Sequence, residues 1–113
     1  GQIEGAMIQG LGLALMEELP SAENGNIQGE SLHEYLVPTS LDMPEIGVVL
    51  IDNPAEGTPL GMRGVGEPPI VATAAAVVNA INDAVGAPLF SIPVGPHHVR
   101  AAMAESGAAT ASV

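Results

Sequence analysis

The chain has 113 residues, of which 13 are acidic and two are basic, and its formal net charge is −11. That charge repels polyphosphates, and the two arginines form no basic surface, so nucleic-acid binding is excluded. The chain contains no lysine and no cysteine, which excludes Schiff bases, thiol nucleophiles and iron–sulfur ligation by this chain. The hydrophobic content of 47% predicts one domain with an aliphatic core, because the aromatic residues are one tyrosine and one phenylalanine.

No apolar run approaches the roughly 20 residues that a membrane-spanning helix needs, so we expect a soluble, cytoplasmic protein without a membrane partner. The first 19 residues predict an amphipathic helix, since apolar side chains recur every four residues from Ile3 to Leu19 before Pro20. Three glycines within this helix each cost about 0.5–1 kcal/mol, which indicates close approach of another backbone or a ligand. The polar segment 21–29 contains Asn24-Gly25 and predicts a turn.

Short apolar runs predict strands at residues 32–37, 46–51 and 89–94. The run Ile46–Ile51 is the clearest of them, because a continuous apolar run is typical of a strand covered on both faces. Because Pro93 has no backbone N–H to donate, the third run is predicted to be an edge strand. Residues 53–66 are rich in glycine and proline and predict a long loop, a kind of segment that is often functional.

Two more helices are predicted after this loop. Pro68-Pro69 suits a first helical turn, and the apolar stripe that follows ends at Val85, just before a C-terminal Gly86. Residues 96–103 predict a short last helix, and the small, polar residues 104–113 predict a flexible tail. Together these elements predict an α+β domain over residues 1–103, with two main helices packed on a small mixed sheet.

The junction of the loop and the second main helix is the best candidate for chemistry. Gly64 and Gly66 permit close approach of a bulky ligand, and the helix N-terminus favours an ionised carboxylate at Glu67. Glu67 is either a general base or an acidic helix cap, and the local features favour the cap. Arg63 is a counter-ion to Glu67, a substrate anchor or a plain surface residue. At the start of the first helix, Gln2 either offers a donor and an acceptor to a ligand or is a solvated terminal glutamine, and the local features favour the solvated residue.

Other catalytic and metal-binding patterns are absent from the sequence. His97 and His98 point about 100° apart on a helix, so they do not converge on one ion, and we predict no metal bound directly by protein side chains. No serine stands in a nucleophile-elbow motif. Gly64-Val65-Gly66 is followed by Glu-Pro-Pro, so the third glycine of a dinucleotide fingerprint is missing.

Three segments, in this order and spacing, carry a resemblance to a known family. They are Gly1-Gln2-Ile3-Glu4-Gly5 with Gln9-Gly10-Leu11-Gly12, then Tyr35-Leu36-Val37-Pro38-Thr39 with Asp42-Met43-Pro44-Glu45, then Gly64-Val65-Gly66-Glu67-Pro68-Pro69. Over residues 1–103 the chain resembles the C-terminal part of the molybdopterin-binding, or large, subunit of the xanthine dehydrogenase and aldehyde oxidoreductase family. These enzymes are molybdenum hydroxylases.

The resemblance implies a role for four residues. Glu67 would be the general base that takes the proton from a molybdenum-bound hydroxide, while an aldehyde or an N-heterocycle is oxidised with water as the oxygen source. Gln2 would hydrogen-bond the molybdenum cofactor, which is molybdopterin or its cytosine dinucleotide form, and the backbone of Val65 and Gly66 would lie beside it. Electrons would leave through iron–sulfur clusters, commonly to FAD, on partner subunits or domains.

The chain also departs from the family. Relatives often have Ala-Lys at the position of Met62-Arg63. Most of the subunit that encloses the cofactor in this family is also missing from the chain. We therefore expect the chain to be a piece of something longer that is inactive alone. Its partners would be the remainder of the molybdopterin-binding subunit, the iron–sulfur and FAD subunits, and a small-molecule substrate of unspecified identity. The alternative is a non-catalytic, excised or structural module that needs the rest of the subunit to bind the cofactor.

Overall fold

The computed structural model describes residues 1–110 of the chain. Within that range the chain forms three α-helices, namely α1 (Gln2–Leu15), α2 (Pro68–Val85) and α3 (Pro96–Thr110). A single 3-10 turn at Pro59–Gly61 interrupts the long segment between α1 and α2. Helix α2 packs against α1 on one side and against α3 on the other, so α2 is the central element.

The predicted α+β class is wrong, because residues 1–110 contain helices and irregular segments but no β-strand. The runs 32–37, 46–51 and 89–94 form no ladder, and the isolated bridge in this part of the chain joins Ser21 to Ile27 across the predicted turn. A strand requires a neighbour that exchanges backbone hydrogen bonds with it. The apolar runs have no such neighbour here, so the small mixed sheet does not form.

Helix α1 ends at Leu15, four residues before the end of the apolar pattern. The N–H groups of Met16 and Glu17 both donate to the carbonyl of Gly12, at 2.9 and 2.8 Å. Gly12 is buried, and a Cβ built on it would lie 2.9 Å from Cδ of Pro38. The helix therefore ends where the segment around Pro38 packs against it. The apolar repeat in the sequence gives no sign of this contact.

Helix α2 begins and ends as the sequence predicts. Its first two residues are prolines, and Gly86 ends it in the left-handed conformation, at φ 69°. The Gly86 N–H donates to the carbonyl of Asn82 at 2.9 Å, and the Asn82 side chain accepts a hydrogen bond from the N–H of Leu89. A glycine at this position ends a helix without the steric cost of a Cβ.

Helix α3 continues to Thr110, beyond the predicted end at residue 103. Residues 104–110, which the sequence analysis assigns to a tail, are thus helical in this structure. The domain boundary at residue 103 and the flexibility of 104–113 stay predictions, and residues 111–113 lie outside the described range.

The packed centre of the molecule consists of small side chains. Ala14 is fully buried, and Ala6, Val94 and Ala102 are nearly so. The N–H of Val94 donates to the carbonyl of Ala14 at 2.7 Å, which fixes the segment before α3 to α1. Helices α1 and α2 approach closely at Gly10, where a Cβ would lie 2.7 Å from Cβ of Thr73. An alanine-rich core lets the backbones approach, but it removes little apolar area from water.

The chain is open rather than compact. Its radius of gyration is 18.5 Å, whereas a compact domain of this length has about 13 Å. Its accessible surface is 8597 Å², about half as much again as the roughly 5,700 Å² expected for a folded monomer of 11.3 kDa. Much of the excess is apolar, because many large hydrophobic side chains are exposed.

Helix α2 is apolar and long enough, by length and composition, to cross a membrane, with a mean hydropathy of 1.2 over its 18 residues. None of its residues is fully buried in this chain. A single helix of this kind is weak evidence for a membrane span, because core helices of large domains have the same length and composition.

Residues of the second resembling segment make structural hydrogen bonds. The Tyr35 hydroxyl donates to Oε2 of Glu17 at 2.9 Å, which ties the segment after the turn to the end of α1. Oδ2 of Asp42 accepts from the N–H and the hydroxyl of Thr39, and these bonds lower the pKa of the Asp42 carboxyl. The sequence analysis places Tyr35 in a strand, so it misses the first of these contacts.

The contact at Gly10 leads to a prediction with a built-in control. Gly10→Ala should destabilise the chain by about 1–3 kcal/mol, because the new methyl overlaps the rigid Cβ of Thr73. Gly5→Ala, on the same helix and with nothing within 4 Å of the new Cβ, should stabilise it by about 0.5–1 kcal/mol. Thermal unfolding followed by circular dichroism measures both, and equal effects of the two variants would contradict the close approach of α1 and α2.

The Tyr35 contact predicts a pH dependence. The hydrogen bond to Glu17, then desolvation and the negative charge of Glu17, raise the pKa of Tyr35 above its ordinary value of 10.0. The raised pKa means that the contact stabilises the folded chain fully below pH 10 and that this contribution is lost as the pH rises through the folded pKa. Because Tyr35 is the single tyrosine, absorbance titration of the phenolate reads its pKa directly. Glu17→Ala should return the midpoint toward 10, and an unchanged midpoint would rule the contact out.

Candidate functional site

The candidate site lies where the start of α1 meets the loop that leads into α2. Gln2 is the first residue of α1, and its side chain is exposed. Gly66 lies directly beside it, because a Cβ built on Gly66 would come 2.9 Å from Oε1 of Gln2. The structure therefore brings together two segments that are far apart in the sequence and that the sequence analysis links only by resemblance.

Glu67 is the N-cap residue of α2, and its exposed side chain makes no capping hydrogen bond. A capping carboxylate accepts from the N–H of the second or third helical residue. The second residue is Pro69, which has no N–H, and the N–H of Ile70 already donates to the Glu67 carbonyl at 3.0 Å. Pro69 thus removes one of the two donors that a capping role would use, the other is bonded to the Glu67 carbonyl, and the Glu67 carboxylate has no partner among the described residues.

The backbone beside this carboxylate is open on one side. A Cβ built on Gly64 would meet nothing within 4 Å, and the Val65 side chain is exposed. The backbone N–H groups of Val65 and Gly66 donate to no acceptor within residues 1–110. Gln2, Val65, Gly66 and Glu67 therefore form an accessible face that carries an amide, a carboxylate and two free backbone donors. We call it the Gln2–Glu67 face.

Arg63 does not pair with Glu67 in this structure. Its Nε donates to the backbone carbonyl of Asn53, across the long loop. Arg63 is therefore not the counter-ion of Glu67 in this structure. Its side chain instead links two residues of the long loop.

The histidine pair belongs to the start of α3. Nδ1 of His98 accepts a hydrogen bond from the N–H of Gly95 at 3.1 Å, and the rings of His97 and His98 lie 3.9 Å apart between centroids. In the described part of the chain, no group of three histidine, cysteine, aspartate or glutamate side chains is arranged to hold a metal ion. His98 thus accepts a hydrogen bond at the start of the last helix, and both histidines lie outside the Gln2–Glu67 face.

A groove of about 510 Å³ runs between α1 and α2, and Pro69 is one of its lining residues. Apart from the hydroxyl of Thr73, its walls are aliphatic side chains such as Leu11, Ile46 and Val77. That hydroxyl donates to the carbonyl of Pro69 at 2.8 Å and so is already satisfied. The groove contains no acid, base or nucleophile, so it is a packing surface rather than a reaction site.

Comparison with known proteins shows which family this chain belongs to. Residues 1–44 match the model of the molybdopterin cofactor-binding domain. The large subunit of nicotine 6-hydroxylase from Paenarthrobacter nicotinovorans is 36% identical over 102 residues, which are 88% of this chain and 12% of that protein. A probable xanthine dehydrogenase subunit from Bacillus subtilis is 36% identical over 107 residues, or 95% of this chain and 14% of that protein.

The fold comparison agrees with the sequence comparison. The crystal structure of quinoline 2-oxidoreductase from Pseudomonas putida 86 matches 93% of this chain and 14% of its own chain, with a TM-score of 0.87 and 33% identity. The 113 residues thus span about an eighth of the length of these relatives. The chain therefore belongs to the xanthine dehydrogenase and aldehyde oxidoreductase family, and it corresponds to a segment of the molybdenum-binding large subunit.

Proposed function

We propose that this chain contributes the general base, Glu67, to a molybdenum hydroxylase that oxidises an aldehyde or an N-heterocycle with water as the oxygen source. The observation that carries the proposal is the state of the Glu67 carboxylate. It lies at the start of α2 without a capping bond or an ion pair, beside the open face that begins at Gln2. A carboxylate without a structural role at such a place is available for proton transfer.

The donors of the Gln2–Glu67 face fit the edge of a molybdenum cofactor. The Gln2 amide can donate and accept, and the free N–H groups of Val65 and Gly66 suit the polar atoms of a pterin or a metal-bound oxygen ligand. Gly66 has no side chain, and a Cβ at that position would press on the Gln2 amide, so glycine keeps the amide in place. When bound, the cofactor supplies the redox centre that accepts two electrons from the substrate.

The residues of this chain then do three things. Glu67 would accept, at its carboxylate, the proton released as the water-derived oxygen bonds to the electron-poor carbon of the substrate, while the C–H bond of that carbon breaks and its two electrons pass to the bound cofactor. Gln2 holds the cofactor by its side-chain amide, and the backbone at Val65 and Gly66 contacts it without steric hindrance.

The remaining parts of the enzyme are proposed to come from outside these 113 residues. The chain spans 12–14% of the relatives named above, so the rest of the large subunit would enclose the cofactor and form the substrate pocket. Iron–sulfur and FAD subunits or domains would carry the electrons onward. A cofactor in the molybdopterin form or in its cytosine dinucleotide form, and a cytoplasmic location, are part of the same proposal.

The open shape of the chain favours a second candidate function, that of a non-catalytic structural module. The two functions differ in what the side chains of this chain do in the assembled protein. A structural module needs the rest of the subunit to bind the cofactor and contributes no base, so a substitution of Glu67 should leave the turnover of a molybdenum-loaded complex unchanged. The hydroxylase function predicts that the same substitution lowers the turnover.

The role of Glu67 is tested in the complete enzyme by Glu67→Gln, which keeps the size of the side chain and removes the base. Loss of a general base typically lowers the rate about 10²- to 10⁴-fold, so we expect kcat for aldehyde or N-heterocycle oxidation to fall by that amount with molybdenum content unchanged. The matched control is Glu56→Gln, an exposed glutamate of the same loop, which should leave kcat unaltered. If Glu67→Gln turns over near the original rate, Glu67 is not the base.

The role of Gln2 is tested by Gln2→Ala, again in the complete enzyme. Loss of one hydrogen bond worth about 0.5–1.5 kcal/mol should weaken cofactor retention about 2- to 12-fold. The measurement is the molybdenum remaining after dialysis against a chelator. Gln9→Ala, at an exposed position of the same helix, should retain the metal like the unaltered enzyme. Equal losses from the two variants would mean that Gln2 acts only through the helix.

A further inference from the structure

The loop that leads to the Gln2–Glu67 face closes on itself before it reaches that face. The N–H of Ala55 donates to the carbonyl of Gly61 at 3.1 Å, and Nε of Arg63 donates to the carbonyl of Asn53. Within the described chain, every hydrogen bond that residues 53–63 make stays inside this segment. We call residues 53–63 the closed loop.

Two further contacts make the closed loop tight. Gly61 lies against Pro54, since a Cβ built on Gly61 would come 2.7 Å from Cβ of Pro54, and its φ of 68° is in the left-handed region. The Thr58 hydroxyl lies 3.0 Å from the carbonyl of Ala55 and 3.2 Å from the carbonyl of Met62, and these acceptors share its one proton. These contacts give the loop one shape, so its last residue has a defined position.

The segment between the closed loop and α2 has few contacts of its own. A Cβ built on Gly64 would meet nothing within 4 Å, and the N–H groups of Val65 and Gly66 have no acceptor within residues 1–110. Glycine has the widest conformational freedom of the amino acids, so two glycines in three positions leave this segment free to move. Its direction is therefore set at its two ends, by α2 after Glu67 and by the closed loop before Gly64.

The side chain of Arg63 joins the two ends of the closed loop. Its guanidinium is bonded to the carbonyl of Asn53, and its backbone leads directly into Gly64. Because the donor is charged, this bond is stronger than one between neutral groups. The same bond keeps the guanidinium away from Glu67, and the described residues contain no ion pair between the two.

We propose that Arg63 is a positioning residue for the site. By closing the loop on the carbonyl of Asn53, it fixes the start of the glycine-rich segment and, through that segment, the place of the Glu67 carboxylate. The inference rests on the proposed role of Glu67 as the general base. It adds a residue that acts on this base without contacting the substrate.

Hydrogen exchange in the complete enzyme tests whether Arg63 holds the loop. Arg63→Met keeps the length of the side chain and removes its N–H donors, so the hydrogen-bonded amides of the closed loop should exchange about tenfold faster. Mass spectrometry of the loop peptide measures this exchange. Arg100→Met removes the other arginine of the chain, at an exposed position of α3, and should leave the exchange unchanged. If the two variants exchange equally slowly, the bond to Asn53 does not hold the loop and the proposal is wrong.

Steady-state kinetics of the same enzymes test whether the position of the loop matters to the reaction. Arg63→Met should lower kcat about 10- to 100-fold and leave KM nearly unchanged, because a displaced base affects the transition state rather than substrate binding. Arg63→Lys keeps a charged donor and should recover most of kcat. A substrate anchor predicts a rise in KM instead, and that result, or an unaltered kcat, would overturn the proposal.

Two further variants separate position from charge and from the base itself. Thr58→Val removes a tie of the loop without a change of charge, and it should lower kcat about 2- to 12-fold. An unaltered rate would overturn the proposal, since Arg63 would then act by its charge. In the Glu67→Gln enzyme, Arg63→Met should lower kcat no further, and a full additional loss would mean that Arg63 acts independently of Glu67. If Glu67→Gln alone keeps the original rate, the proposed base is wrong, whatever the exchange of the loop shows.

Discussion

The close approach of α1 to α2 at Gly10 is the contact that positions every other part of the site. Because Gly10 has no side chain, its backbone lies against Thr73 and the carbonyl of Ile70. The same approach brings the start of α1 beside the loop before α2, so that the amide of Gln2 meets Gly66. A helix pair held apart by larger side chains would separate these groups, and the Gln2–Glu67 face would not exist. Gly10, which weakens α1 as an isolated helix, therefore permits the contact that forms this face.

The two prolines that open α2 determine what Glu67 is free to do. In most helices an acidic N-cap residue satisfies backbone N–H groups of the first turn. Here Pro69 offers no N–H, and Ile70 is bonded to the Glu67 carbonyl, so the carboxylate is left for other chemistry. A single sequence feature, Glu-Pro-Pro, thus leaves the Glu67 carboxylate uncapped and exposed.

The chain exposes a large apolar surface, and it is about an eighth of the length of its relatives. An interior of small side chains buries little apolar area, and the large aliphatic side chains point outward. In the proposed enzyme the remainder of the large subunit would cover such side chains, and the Gln2–Glu67 face would form one wall of a cofactor site that other segments complete.

Features that depend on local chemistry could be predicted from the order of residues alone. Pro68, Pro69 and Gly86 set the limits of α2, Asn24-Gly25 marked a turn, and the motifs around Gln2 and Glu67 indicated the family. Features that depend on contacts between distant segments could not. Residues 46–51 have the composition of a buried strand, but a strand exists only when a second strand accepts its hydrogen bonds, and the described residues supply none. The end of α1, the contact of Tyr35 with Glu17 and the meeting of Gln2 with Gly66 likewise require residues that lie far apart in the chain, which no local pattern records.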